Sequence, residues 1–73
     1  MITDNYRYKK GFRFKPAWDC KIAFFEFVMY DENNDSIHVK AYPKDGELYD
    51  TEMDFLDYEE SFFNEDYLPL ERS

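Results

Sequence analysis

Two apolar-rich segments on either side of a short polar turn constrain the fold of this chain more than any other feature. Residues 19 to 31, DCKIAFFEFVMYD, are rich in Phe and carry apolar side chains on both faces, as a central strand does. Residues 36 to 43, SIHVKAYP, alternate apolar and polar side chains, and the ENND before them has the composition of a turn. The pattern predicts an antiparallel hairpin.

The register of this hairpin is indicated by its charges. Pairing Tyr30 with Ser36 places Glu26 opposite Lys40, and unlike charges directly opposite one another stabilise antiparallel strands. The same register collects apolar side chains on one face: Ala23, Phe25, Phe27, Met29, Ile37, Val39 and Ala41. It leaves others on the second face: Ile22, Phe24, Val28, Tyr30, His38 and Tyr42. Because a one-residue shift would move a strand's side chains to the opposite face, this agreement favours the register.

A third strand is predicted near the N-terminus. In residues 5 to 15, NYRYKKGFRFK, the even positions are mostly aromatic and the odd positions mostly basic, which is the period-two pattern of a half-buried strand. Gly11 is compatible with a bulge. Pro16 ends the strand or keeps it at a sheet edge, because proline has no N–H to donate.

Residues 50 to 63, DTEMDFLDYEESFF, are predicted to form an amphipathic helix. Asp50 or Thr51 is the predicted N-cap, because a short side-chain oxygen can accept a hydrogen bond from a first-turn N–H group. One broad arc of the helix is apolar and consists of Phe55, Leu56, Tyr58, Phe62 and Phe63. The opposite edge consists of Asp50, Asp54, Asp57 and Ser61. Residues 67 to 73 are predicted to be a short tail that docks on the core.

Together these elements predict an α+β fold in a single domain of residues 1 to 73. It consists of a small antiparallel sheet of about three strands, with one C-terminal amphipathic acidic helix packed on one face. One helix cannot cover both faces of the sheet. Either the N-terminal strand folds over the second face or that face is an interface, and a homodimer is one alternative that the sequence leaves open.

Composition restricts the class of protein further. Sixteen of the 73 residues are aromatic, which favours a folded domain despite the high charge. The single cysteine, Cys20, excludes an intrachain disulfide. The N-terminus shows no signal-peptide pattern, and the longest apolar-rich run, IAFFEFVMY, is far shorter than the ~20 residues of a membrane-spanning helix. These features predict a cytoplasmic protein with no membrane partner.

The charge is distributed unevenly along the chain. Residues 1 to 21 contain six Lys or Arg against two Asp, whereas residues 45 to 71 contain eleven carboxylates and no Lys or Arg. The net charge is −8, which disfavours direct binding of nucleic acid or anionic membranes and favours a basic partner. The acidity could also serve only to keep the protein in solution.

No pattern in the sequence predicts a metal, a cofactor or a catalytic centre. Asp31, Asn33 and Asp35 begin like a calcium loop, but such a loop needs Gly and Glu where this chain has Ser36 and Tyr42, so a turn is predicted. The lone cysteine and the lone histidine form no nucleophile–base pair and too small a zinc site. We therefore expect a protein that is not an enzyme.

One short motif raises the question of nucleic-acid binding. Residues 10 to 14, KGFRF, resemble the K-G-F-x-F core of the RNA-reading strand in RRM and cold-shock domains, whose aromatic side chains stack on bases. Arg13 stands where those families have a small residue, and the rest of the chain has neither pattern. The interpretation favoured here is an ordinary strand with Phe12 and Phe14 in the core.

The acidic helix is the strongest functional feature, and it suggests a binding protein. Aspartates three or four residues apart on a helix lie ~5–6 Å from one another, which is comparable to the phosphate spacing of DNA. The hypothesis is a nucleic-acid mimic that occupies the basic surface of a nucleic-acid-binding enzyme or complex. Small acidic phage-encoded inhibitors share this composition. The predicted contact residues are Asp50, Asp54, Asp57, Tyr58, Glu60, Glu65, Asp66 and Tyr67, with the two tyrosines as anchors.

Three alternatives remain open at the level of sequence. A structural or assembly protein would homodimerise through an apolar second sheet face. An antitoxin or immunity protein would resemble the first hypothesis electrostatically and differ only in its partner. An acidic–aromatic segment that folds on binding would also fit the composition of residues 54 to 67.

Overall fold

The hairpin predicted from residues 19 to 43 forms the centre of a larger sheet. The structure is a computed structural model, and it describes residues 6 to 70. Its elements in chain order are a 3₁₀ helix Tyr6–Tyr8, β1 Arg13–Pro16, β2 Ile22–Asp31, β3 Ser36–Pro43, β4 Tyr49–Asp54, α1 Phe55–Phe63 and β5 Tyr67–Pro69. The strands form one antiparallel sheet in the order β4-β3-β2-β1-β5, and α1 connects its two edges. The α+β class is confirmed, with five strands instead of about three.

The central pair of the predicted hairpin register is confirmed. Glu26 lies opposite Lys40, and β3 covers the predicted residues 36 to 43. The pairing changes further along, because β2 contains a bulge between Phe27 and Met29. Tyr30 therefore pairs with Ile37, and the predicted pairing of Tyr30 with Ser36 is wrong by one residue.

This bulge exchanges the faces of two side chains. Tyr30 turns to the helix-covered face and packs against the core, whereas Met29 lies on the second face and is 48% exposed. The predicted faces of both residues are wrong. A bulge adds one residue to one strand only, and in an apolar run its position leaves no mark on the alternation of side chains.

The N-terminal strand is much shorter than predicted. The predicted strand began at residue 5, which lies outside the described residues, whereas backbone hydrogen bonding to β2 starts at Gly11 and β1 itself at Arg13. That glycine has a φ of 95°, which favours glycine, and its N–H donates to the carbonyl of Phe27. Before it, Tyr8 packs against the core and its hydroxyl donates to Glu59 of α1. The described part of this segment therefore joins α1 on one face of the sheet and does not cover the second face.

The predicted helix divides into a strand and a helix. Residues 49 to 54 form the edge strand β4, which pairs with residues 36 to 41 of β3, and the helix begins at Phe55. The N-cap is Asp54, whose Oδ2 accepts from the N–H of Leu56 at 3.1 Å, so the prediction of Asp50 or Thr51 as the cap is wrong. Thr51 and Met53 alternate with carboxylates in DTEMD, a pattern that fits a strand as well as a helix, and pairing with β3 decides between them.

The core lies between α1 and one face of the sheet. Its buried side chains are Phe14, Phe27, Ile37, Val39, Ala41 and Tyr58. The predicted tail is instead the short strand β5, which pairs with β1 and places the half-buried ring of Tyr67 against Phe14 with centroids 5.1 Å apart. In the part of the chain that the structure describes, no helix has the length and apolar character needed to cross a membrane.

Removing the N-cap is expected to weaken α1. Asp54→Ala should lower the free energy of unfolding by about 1 kcal/mol, because the N–H of Leu56 loses its side-chain acceptor. Urea unfolding followed by circular dichroism would measure the change. Asp54→Asn is the matched control, because asparagine caps as well as aspartate; an equal loss in both variants would contradict the assigned cap.

Candidate protein-interaction surfaces

The outer face of α1, defined here as Leu56, Asp57, Glu60 and Phe63, points away from the sheet. Leu56 is 65% exposed and Phe63 is 85% exposed. They are seven residues apart, so they lie on one side of the helix about 10 Å from each other along its axis. Glu60 lies between them and Asp57 beside them, both exposed. The face thus combines two apolar side chains with two carboxylates.

Further carboxylates follow directly after the helix. Glu65 and Asp66 are exposed, and Glu65 has a φ of 63°, which turns the chain from α1 toward β5. Among the ion pairs formed within residues 6 to 70, only the contact of His38 with Glu52 involves a carboxylate of residues 45 to 70. The charge near Phe63 is therefore not neutralised by an ion pair within the described part of the chain.

The predicted aspartate row does not form. Asp50 lies on β4, whose residues rise ~3.3 Å each, so it is roughly 13 Å from Asp54 along the chain. The carboxylate of Asp54 caps α1. Of the three aspartates, only Asp57 lies within the helix. The helical spacing that suggested a match to DNA phosphates is wrong, because the first five residues of the predicted helix belong to a strand.

The two predicted aromatic anchors are also placed differently from expectation. Tyr58 is 0% exposed, and its hydroxyl donates to the carbonyl of Arg7, so its assignment as a surface anchor is wrong. Burial raises the pKa of Tyr58 well above its ordinary value. Tyr67 is half-buried beside Trp18, and burial raises its pKa, with the charges of Asp57 and Asp66 adding to the effect.

The sequence analysis placed Leu56 and Phe63 on the side of α1 that faces the sheet, whereas both are exposed. Helical geometry separates Leu56 and Phe63 from the mean direction of Tyr58 and Phe62 by about 120° or more. The single broad arc predicted from the sequence includes all five apolar residues of the helix and therefore places every one of them against the sheet. A narrower arc centred on Tyr58 and Phe62 leaves the other two in solvent, and that difference is the signal that could have revealed them.

A second surface is the face of the sheet opposite α1, called here the open face, which no helix or strand within residues 6 to 70 covers. It carries one row of paired charges, an aromatic pair and a cluster around His38. The row crosses four adjacent strands, since Arg13 lies opposite Glu26, Glu26 opposite Lys40, and Lys40 opposite Asp50. The second face is therefore not the apolar surface that the sequence suggested.

The aromatic pair lies beside this row of charges. The rings of Phe24 and Tyr42 are stacked with centroids 4.4 Å apart, and the guanidinium of Arg13 lies 5.2 Å from the centroid of Phe24. The hydroxyl of Tyr42 donates to Oε1 of Glu26 at 2.8 Å, which raises the pKa of Tyr42. Nε of Arg13 is 3.8 Å from Oε2 of Glu26. These contacts hold the side chains of the open face in defined positions.

His38 occupies the other side of the row. Its Nε2 is 3.6 Å from carboxylate oxygens of both Asp31 and Glu52. The side-chain amide of Asn34 donates to Asp31 at 2.8 Å and is the main cause of the lowered pKa of Asp31. The segment that begins like a calcium loop is a turn, as predicted. Within residues 6 to 70, no group of three His, Cys, Asp or Glu side chains has a metal-binding arrangement.

Comparison of the chain with protein-family profiles, curated proteins and solved structures finds no match. The outer face of α1 and the open face of the sheet are the two surfaces from which a function can be inferred.

Proposed function

We propose that this protein is a non-enzymatic binding protein that docks the outer face of α1 on a basic surface of another protein. The observation that carries the proposal is the 85% exposure of Phe63, a large aromatic side chain at the end of the helix and within three residues of Glu60, Glu65 and Asp66. Burying such a ring in a partner would contribute roughly 1.5–3 kcal/mol to binding.

The combination of apolar and acidic side chains selects the chemistry of the partner. Aromatic residues act as anchors when they enter a pocket from which water is excluded. Carboxylates around the anchor attract a positively charged surface and accelerate association, and they repel acidic ones. A partner that fits would offer an apolar pocket for Phe63 and Leu56, with Lys and Arg around it.

We further propose that the basic surface is one that normally holds nucleic acid. Proteins that bind phosphates concentrate Lys and Arg on one surface, and such a surface attracts dense carboxylates in the same way. The density of acidic residues in this chain and the net charge of −8 support the proposal. The regular spacing of aspartates inferred from the sequence does not support it, because that row does not form. We therefore propose that the protein competes with nucleic acid through its negative charge and its Phe63 anchor, and not by copying a row of phosphates.

An antitoxin or immunity protein remains a second form of the same proposal. Such a protein would use the same acidic face, and only the identity of the partner would distinguish it. A toxic nuclease as the captured partner would favour this form.

Replacing Phe63 is expected to weaken partner capture strongly without affecting the fold. We expect a tagged wild-type chain to retain a basic protein from a lysate at low salt and to release it at high salt, because exposed charges are screened. Phe63→Ala should lower retention about tenfold or more, since the anchor is lost. Purified partner and a labelled oligonucleotide would then show whether the chain displaces nucleic acid.

A charge-matched pair of variants separates a docking face from general acidity. One triple variant neutralises the region of α1 with Asp57→Asn, Glu60→Gln and Asp66→Asn. The control neutralises three exposed carboxylates elsewhere with Glu32→Gln, Asp45→Asn and Glu47→Gln, so both variants have the same net charge. Loss of capture in the first variant alone supports the proposal. Equal capture by both variants, or salt-independent capture, would contradict it.

A further inference from the structure

The row of charges across the open face has a symmetry that suggests a second ligand. From β1 to β4 its signs run Arg13 positive, Glu26 negative, Lys40 positive and Asp50 negative. Reading the row from the other end reverses every sign. A row with this property is complementary to a copy of itself turned end to end.

We propose that the open face binds the open face of a second copy of this chain, related by a two-fold axis that runs parallel to the strands between β2 and β3. Rotation about this axis reverses the row and turns it to face the first copy. Arg13 then lies opposite Asp50 of the second copy, and Glu26 lies opposite its Lys40. Each contact occurs twice, as a two-fold interface requires.

The apolar side chains of the open face obey the same symmetry. Phe24 and Tyr42 lie on β2 and β3, on either side of the proposed axis, so Phe24 meets Tyr42 of the second copy. Met29, 48% exposed, is paired with His38 across the axis and meets His38 of the second copy. Stacked aromatic rings would thus be buried beside the charge pairs and would contribute the apolar part of the interface.

Ordinary sheet geometry allows these contacts. Packed sheets lie ~10 Å apart with strands inclined by ~30°. Arg13 and Asp50 are three strand spacings apart, so each lies about 7 Å from the axis. The inclination displaces them from their counterparts by about 4 Å, which a long Arg side chain can span.

The size of the surface sets the expected strength. The four strands that overlap in this arrangement, ~4.8 Å apart and about six residues long, present roughly 400 Å² per copy, so the total is below the usual range of stable interfaces and fits a weak one. We expect a dissociation constant in the micromolar range. The net charge of −8 on each copy opposes association, and salt of about 0.15 M screens that repulsion. The inference does not depend on the proposed function of α1.

Charge reversal at the two ends of the row tests the proposal directly. Arg13→Glu alone would face Asp50, and Asp50→Arg alone would face Arg13, so each variant repels its own copy. We expect each to self-associate at least about tenfold more weakly than the wild type, measured by sedimentation equilibrium up to about 500 µM. A mixture of the two variants should form a heterodimer, because both contacts are restored in it.

Matched controls keep the test specific. Lys10→Glu and Asp45→Arg make the same changes of net charge at exposed positions outside the row, and both should associate like the wild type. Circular dichroism of every variant monitors the fold. If Arg13→Glu does not fold, Glu26→Lys mixed with Lys40→Glu gives the same test at the centre of the row. A monomeric wild type at about 500 µM, or two variants that do not combine, would overturn the proposal.

Discussion

Replacing Phe14 by alanine is expected to remove a large part of the protein's stability. The side chain is 0% exposed, and its ring contacts five other aromatic rings. These rings belong to Phe12, Phe25, Tyr58, Phe62 and Tyr67. Truncating a buried Phe costs about 3–5 kcal/mol. A domain of 73 residues has a total stability of roughly 4–11 kcal/mol, so the loss removes much or all of it.

Phe63→Ala is the matched control for this prediction. The substitution is chemically identical, but the side chain is 85% exposed, so the change in unfolding free energy should stay within about 0.5 kcal/mol. Urea unfolding followed by the fluorescence of Trp18 and by circular dichroism would compare the two variants. Similar losses in both, or a loss below about 1 kcal/mol for Phe14→Ala, would contradict the assigned core.

The second large effect is expected at high pH. Tyr58 is fully buried, and burial raises its pKa in the folded state above the value of about 10 in the unfolded chain. Above pH 10 the folded protein therefore holds a proton that the unfolded chain has lost. Stability is fully present below pH 10, and it falls by about 1.4 kcal/mol per pH unit from this residue as pH rises further.

Comparison with Tyr58→Phe isolates the contribution of this hydroxyl. At pH 8 the variant should be less stable by about 1 kcal/mol, because the carbonyl of Arg7 loses a hydrogen bond from the Tyr58 hydroxyl. Since phenylalanine does not titrate, the difference should shrink and then reverse between about pH 10 and pH 11.5. Unfolding free energies measured by urea at several pH values would show this. Parallel curves for the two proteins would contradict the assignment of a buried phenol.

Only part of the candidate surfaces could be predicted from the sequence. The acidity of residues 45 to 71 identified the part of the chain that carries the charge, but the assignment of individual residues required the structure. The predicted helix extended through residues that form β4, so Asp50 and Asp54 were placed on a helical face that does not exist. Tyr58 was assigned both to the apolar arc and to the partner contact, whereas it is fully buried and its hydroxyl donates to the carbonyl of Arg7.

The sequence by itself determined the class of the fold, the central hairpin and the Glu26–Lys40 pair, because alternating side chains and opposite charges act between neighbouring strands. The tertiary structure decided the bulge that separates Met29 from Tyr30, the division of residues 50 to 63, and the added strands β4 and β5. In each case the local pattern was compatible with more than one element. Which element formed depended on backbone groups and core rings elsewhere in the chain, with which each segment could pair or pack.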